Sequence, residues 1–373
     1  MSVPAWLSEP VDRAVRAPAP GVAQQLVLSV LSAAAAGYGA AIRLRGMAYR
    51  RRLLRTHRLD CRVICVGNLT VGGTGKTPAV ITLARAFAGA GRRVAILLRG
   101  YGGAAPGPLV VSDGHQIRRS WRDVGDEAVL LAQSVAAVPV IVGGDRVAAG
   151  EVALREFRPE TLLLDDGFQH RRLHRDLDLV LLDATDPFGG GRLLPRGRLR
   201  EPMAGLGRAD AILITRADQA GRSDELIRSI GRLAPGRPIA LSRHRAEILR
   251  ELGTGLARPL ETLHGRRVLG VTGIAKAEGF FRTLEETGAR LAGRLAFPDH
   301  HPFSEADQFR ILGAAEAAQA EWIVTTEKDA VRLAGRPAAG PPVLALGIRL
   351  EIREGRQALE ALLGISLSEV VGG

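Results

Sequence analysis

The stretch that decides the fold is "CVGNLTVGGTGKTP", Cys65 to Pro78. An apolar run, "RVICVG" (62–67), leads into it, and "TPAVITLARAFAGAG" (77–91) leads out. The first reads as a strand. The second reads as a helix, with Val80, Leu83, Ala84 and Phe87 on one face and glycines near its end. Between them Gly72, Gly73, Thr74 and Gly75 form a turn whose backbone N–H groups point inward, at the positive end of the following helix. Such a turn holds the phosphates of a nucleotide. Lys76 reaches the β- and γ-phosphates and the Thr77 hydroxyl ligates Mg²⁺. Pro78 is tolerated, because the first helical turn needs no N–H partner there. The strict pattern has glycine where Thr70 stands, so this is a variant P-loop with paired glycines. A chance glycine-rich turn would not require strand, helix and Gly-Lys-Thr together.

Outward from that turn the same rhythm continues. "RVAILL" (93–98), "VPVIVG" (138–143), "TLLLDD" (161–166), "DLVLLD" (178–183) and "DAILIT" (210–215) are short apolar runs separated by helical stretches. Runs apolar throughout, alternating with helices, predict a parallel sheet buried on both faces. The fold class is therefore α/β: a P-loop NTPase-like, doubly wound, mostly parallel sheet, with ligands beyond the carboxyl ends of its strands. Further runs at "PIALSRH" (238–244), 266–273, 321–326 and 342–348 predict a second, smaller α/β domain. The expected boundaries are 1–59 for an N-terminal helical segment, 60–236 for the P-loop core and 237–373 for the C-terminal domain. Residues 253–265, rich in Gly and Pro, read as a connection.

Two acidic strand or helix ends accompany the turn. "TLLLDDGFQH" closes a strand with Asp165 and Asp166, the arrangement that holds Mg²⁺ next to a P-loop. The plainer alternative is an Asp pair opening a turn, since Asp-Gly favours one. "VGDEAVLLA" places Asp126 and Glu127 at the start of an apolar helix. Helix capping explains them there; a catalytic base near the γ-phosphate is the sharper reading.

Composition narrows the partners. The chain has 51 basic and 39 acidic residues, a formal charge of +12. That suits nucleotides, phosphorylated substrates or an anionic lipid surface, and equally an arginine-rich proteome. No zinc spacing, helix-turn-helix or aromatic RNA-binding motif supports nucleic acid. Only Lys76, Lys276 and Lys328 are lysines. Where lysine survives such a bias, a compact ammonium is needed that a planar guanidinium does not replace. Cys61 and Cys65 form neither a disulfide framework nor a zinc site, which suits a reducing cytoplasm. Residues 21–42, "GVAQQLVLSVLSAAAAGYGAAI", are apolar but weakly so, and an arginine-rich run, 43–58, follows. That order is wrong for a signal peptide and marginal for a membrane span, but suits a helix lying on an anionic membrane. The alternative is a helix packed on the protein's own core.

Two rival motifs are present. "ITRADQ" resembles a guanine-recognition motif through Thr215, Arg216 and Asp218, with arginine where lysine is expected. It supports an alternative function, a membrane-associated P-loop ATPase or GTPase switch acting on a protein partner. "FPDHHPF" offers Asp299, His300 and His301, but adjacent ligands without a spaced partner make a poor metal site. A histidine working beside a carboxylate fits better.

Taken in order over residues 60–335, "VGNLTVGGTGKTP", "RGYGG", "VGDEAVLLA", "LLLDDGFQHRRLHRDLDLVLLDATDPFGGGRLLPRGRLREP", "AFPDHHPF" and "TTEKDAVR" resemble the tetraacyldisaccharide 4′-kinase family of lipid A biosynthesis. The resemblance implies a peripheral enzyme on the cytoplasmic face of the bacterial inner membrane. It implies transfer of the ATP γ-phosphate, with Mg²⁺, to the 4′-hydroxyl of a lipid A disaccharide 1-phosphate. No nucleic acid and no protein partner are expected. It implies Asp126 as the catalytic carboxylate, His300 rather than His301 as its partner, and Lys76 on the phosphates. The metal set expected with it is Thr77, Asp165, Asp166 and Glu127. Arg99, Tyr101, Gln169, His170, Arg200 and Glu201 are the expected acceptor-binding residues. Arginines of "RLLPRGRLREP" suit the 1-phosphate, which a guanidinium grips with two hydrogen bonds.

Overall fold

The computed structural model describes residues 21–100, 107–220, 223–333 and 340–367. Strand β1 (Arg62–Asn68) is buried along nearly its whole length and delivers the chain to the phosphate turn. Helix α2 (Lys76–Gly89) leaves the turn and buries Ala79, Val80, Leu83, Ala84 and Phe87, the stripe its spacing predicts. Ahead of both, α1 (Val22–Arg50) is one continuous helix of 29 residues through the apolar run and the start of the basic one.

The chain then runs through β2 (Val94–Leu98), β3 (Leu109–Ser112), α3 (Trp121–Val124), α4 (Asp126–Ser134), β4 (Val140–Val142), α5 (Arg146–Phe157), β5 (Thr161–Asp165), β6 (Leu177–Asp183) and β7 (Ala211–Thr215). After α6 (Ser223–Leu233) come β8 (Ile239–Glu251), β9 (Ala257–Arg258), β10 (Arg267–Thr272), α7 (Ala277–Glu286) and β11 (Arg290–Ala296). The last described elements are α8 (Glu305–Ala317), β12 (Trp322–Thr326), α9 (Glu327–Leu333), β13 (Val343–Glu354) and α10 (Arg356–Leu363). Alternation of parallel strands and helices is the α/β architecture the apolar runs predict.

By compactness the described chain forms two units. The first holds the chain up to Lys76, Asp166–Ser242 and Arg353–Leu363; the second holds Thr77–Asp165, Arg243–Ile352 and the residues from Gly364 on. These divisions differ from the boundaries expected at 59/60 and 236/237. At the second of these the reason is strand length: β8 and β13 are 13 and 12 residues long, and each contributes to both units.

In the first unit the strand order is β8-β7-β6-β1, and the pairings are parallel. Its close packing depends on Gly67 of β1, where a Cβ would sit 2.5 Å from the Phe168 Cβ. The second unit has one run ordered β5-β2-β4-β3, with β3 antiparallel at its edge. Its other run is β11-β10-β12-β13-β8, where β11, β10, β12 and β13 pair in parallel. There Phe280, Phe281 and Leu284 of α7 pack on one side, and Phe297, Phe303 and Ile311 belong to a second core cluster.

Candidate active site

Within the first unit the phosphate turn is braced from several sides. The Asn68 amide, fully buried, donates to the Thr70 carbonyl (2.8 Å) and to Thr74 Oγ1 (3.0 Å). Thr215 Oγ1 donates to the Thr74 carbonyl at 2.9 Å, and Arg216 Nη1 to the Gly73 carbonyl at 3.1 Å. Arg216 also pairs with Asp183. Two of the three residues that resembled a guanine-recognition motif thus support the phosphate turn, while the third, Asp218, stands exposed. Gly72 takes φ +109° and faces Arg198, whose Nη2 would lie 2.4 Å from any Cβ there. The positive φ favours glycine there, while the Arg198 guanidinium, at the end of a flexible side chain, could give way.

Lys76 opens α2 with its ammonium 3.5 Å from Asp166 Oδ1. Asp166, in the left-handed region at φ +56°, also accepts from Arg200 Nη1 at 2.7 and 2.8 Å. Two cations around one carboxylate leave a basic rim of the sort that receives phosphate. Gln169 Nε2 donates to the Asn68 carbonyl (2.8 Å) and to Glu201 Oε1 (2.9 Å). Glu201 is buried and also gripped by Arg208 at 2.8 and 3.1 Å, with Arg171 at 3.7 Å. The structure therefore brings Gln169, Arg200 and Glu201 together beside the turn. His170 is partly exposed in the same segment. Helix α1 holds this region: the Tyr38 hydroxyl donates to the Arg200 carbonyl (2.7 Å), Arg45 donates to the Gln169 carbonyl (2.9 Å), and Arg196 bonds Ser32.

In the second unit Asp126 is the first residue of α4, which Gly125 introduces at φ +91°. Asp126 is buried, its Oδ1 accepting the Glu127 N–H at 2.9 Å. Its Oδ2 lies 3.1 Å from His300 Nδ1 and 3.4 Å from Arg332 Nε. Burial pushes the Asp126 carboxyl up. The His300 hydrogen bond and the charges of Lys328 and Arg332 outweigh it and hold the group below the usual carboxylate value. The hydrogen bond to Asp126 raises His300 above the usual imidazole value, against burial and the Lys328 charge. His300 adopts φ +60° and Phe303 φ +55°, left-handed backbone in non-glycine residues of the sort that collects at working sites. The neighbouring His301 has a different environment. Its Nε2 meets Asp307 Oδ2 at 2.9 Å and its ring stacks on Phe297, so it pins the loop to α8.

Helix α9 supplies residues to which sequence reasoning gave no role. Lys328 Nζ lies 3.1 Å from His300 Nε2, 3.3 Å from Glu127 Oε1 and 3.8 Å from Asp299 Oδ1. Arg332, buried one turn on, donates to the Gly273 carbonyl (3.3 Å) and pairs with Asp329. Asp329, fully buried, accepts from Thr272 Oγ1 (3.1 Å), the Gly273 N–H (3.0 Å) and Thr326 Oγ1 (2.7 Å). The scarcity of lysine was the available signal for Lys328; Arg332 was marked only as the last residue of "TTEKDAVR".

Of the remaining expected site residues, Thr77 is the second residue of α2 and Asp165 ends β5, buried. Glu127 is drawn to Lys328. Arg99 is exposed just after β2, and Tyr101 lies outside the described residues. Among the described residues no group of three or more His, Cys, Asp or Glu is placed to hold a metal by itself.

A strand–turn–helix with a braced lysine, and a buried carboxylate hydrogen-bonded to a histidine, define a nucleotide-dependent phosphotransferase on a parallel α/β scaffold. The model of the tetraacyldisaccharide-1-P 4′-kinase family (LpxK) matches residues 27–366. The chain belongs to that family. It is 44% identical over 347 residues to the tetraacyldisaccharide 4′-kinase of Anaeromyxobacter dehalogenans strain 2CP-C, covering 92% of each chain. It is 42% identical over 326 residues to that of Geobacter sulfurreducens, covering 87% of this chain and 90% of the relative. Among solved structures it is similar to LpxK from Aquifex aeolicus in complex with ATP. That match has a TM-score of 0.74 and 31% identity, covering 91% of this chain and 98% of the other.

Proposed function

We propose that the chain transfers the γ-phosphate of ATP to the 4′-hydroxyl of a tetraacylated glucosamine disaccharide 1-phosphate at the surface of a membrane. Family membership carries the reaction. The observation that carries the division of labour is the 3.1 Å contact between Asp126 and His300. Phosphoryl transfer asks little covalent chemistry of the protein: it must position the phosphates, balance their charge and take a proton from the acceptor. Lys76 and the turn amides hold the β- and γ-phosphates. Asp126, kept ionised by its cationic neighbours, takes the hydroxyl proton, and His300 orients it through the Nδ1 hydrogen bond.

Thr77 and Asp165 supply a hydroxyl and a carboxylate oxygen, the hard donors that Mg²⁺ takes. Bound there, Mg²⁺ would offset the charge on the nucleotide phosphates. Asp166 serves Lys76 and Arg200 instead. Gln169 and Arg200, with Arg99, Tyr101 and His170, are assigned to the acceptor sugar and its phosphate. Glu201 holds that region in place.

Helix α1 supports a position on the cytoplasmic face of an inner membrane. It is long and apolar enough to cross a membrane, by length and composition alone. Val22, Leu26, Val30, Leu44 and Met47 are exposed on it, while Ala35, Gly39 and Gly46 are buried. An outward apolar face followed by arginines fits an anionic bilayer, from which an acylated sugar is drawn. Leu26→Glu with Val30→Glu is expected to abolish sedimentation with anionic vesicles; unchanged sedimentation would contradict the surface role.

The activity is tested with protein in detergent micelles, γ-labelled ATP and Mg²⁺, with and without the disaccharide 1-phosphate. Label should enter the lipid only when acceptor is present. Label released solely as free phosphate would leave a nucleotide hydrolase acting on another partner.

A further inference from the structure

Lysine is nearly absent from this chain, where 51 basic residues include only Lys76, Lys276 and Lys328. The first sits in the phosphate turn. The third lies against the imidazole that faces Asp126. Its stem is mostly buried, its ammonium is set between Glu127 and Asp299, and its remaining direction faces His300 Nε2 at 3.1 Å.

We propose that Lys328 is a positioning residue that fixes the tautomer of His300. An ammonium has three donors and no acceptor. The ring nitrogen it faces must therefore carry a lone pair. The single proton of the neutral ring is then on Nδ1, directed at Asp126 Oδ2, and the carboxylate is the acceptor. The opposite tautomer would set the Nδ1 lone pair against an anionic oxygen, and an Nε2–H against the ammonium. The doubly protonated ring would set donor against donor and cation against cation. Lys328 disfavours both alternatives. It keeps His300 as a donor to Asp126 and leaves Asp126 as the group that receives the substrate proton. Three directions at a compact centre are needed, two for carboxylates and one for imidazole. A planar guanidinium fits that demand poorly, which accounts for a lysine in an arginine-rich chain.

This inference rests on the role given to Asp126, and the experiment separates the two. The full chain is labelled with ¹⁵N-histidine, and the ring nitrogens of His300 are assigned by their loss in His300→Gln. Spectra are taken at a mildly alkaline pH where the ring is neutral. The wild type should show a protonated Nδ1 and an unprotonated Nε2. Lys328→Met should lose that pattern and lower kcat about tenfold or more, with KM for ATP little changed, since positioning a general base is worth roughly 10²–10⁴-fold in all. Lys328→Arg should keep the Nδ1–H pattern and recover part of kcat. An Nε2–H ring in the wild type would overturn the proposal. So would Lys328→Met with the Nδ1–H pattern intact, whatever its kcat. Asp126→Asn is assayed alongside. If it turns over normally, the proton-acceptor reading fails, while the tautomer of His300 is still decided by the spectra.

Discussion

The phosphate turn and the Asp126–His300 pair each set a carboxylate against cations, but they are assembled differently. At the turn, Asp166 meets Lys76 and Arg200, and the brace comes from Asn68, Thr215 and Arg216 on strand ends of the same parallel sheet. The residues of the turn itself, Gly72 to Thr77, are contiguous in sequence. The Asp126 pair is built from three segments: the start of α4, the left-handed loop at 299–303 and one face of α9. There the cations Lys328 and Arg332, four residues apart on a helix, keep Asp126 charged in a buried place. The difference teaches that the turn is designed to receive charge, and the pair to hold one ready.

Removing a member of each region tests that contrast. Lys76→Ala should have the largest effect, lowering kcat by about 10³-fold and weakening ATP, because charge stabilisation at the phosphates is lost. Label transfer with titrated ATP measures both. His300→Ala should cost roughly 10- to 100-fold in kcat with ATP affinity retained, an effect on the proton rather than the nucleotide. Equal loss of ATP affinity in the two variants would erase the distinction.

Asp329→Ala leaves Arg332 buried with its closest partner gone. A loss of about 3 kcal/mol in unfolding free energy is expected, read by chemical denaturation. A change within experimental scatter would mean that the Asp329–Arg332 pair does not stabilise the fold around Asp126.

Glu327, half-buried at the head of α9, gives a pH signature. Burial pushes its carboxyl up to about 7. Its folded-state value lies above its usual one of 4.5, so its stabilising, protonated form is fully present below 4.5 and is lost as pH rises through 7. Glu327→Gln should match the wild type in acid and exceed its stability above pH 7, by about 3 kcal/mol at most. A constant difference across pH would contradict the assignment.

Legibility in the sequence followed contact range. The parallel α/β fold was readable because β1, β2, β5, β6 and β7 are buried on both faces and therefore apolar throughout. Strand β11, "RLAGRLA", was missed: an edge strand pairs on one side only, stays partly exposed and loses the apolar signature. β3 is four residues long and likewise at an edge. Lys76 was visible because a phosphate turn is local. The contacts of Lys328 and Arg332 with Asp126 and His300 join residues 28 to 206 positions apart, and no periodicity encodes such pairings. Glu201, which its motif marks for the acceptor, lies buried with Arg171 and Arg208 against one carboxylate and Gln169 bonded to it, contacts that link distant positions and that the motif does not reveal.

The most direct test of the central claim is ATP affinity and label transfer measured together in Asp126→Asn. The account predicts ATP binding like the wild type, with transfer to the lipid acceptor reduced about 10³-fold, the loss of a general base without loss of the phosphate cradle. Near-normal transfer would contradict it, because another group would then be taking the hydroxyl proton.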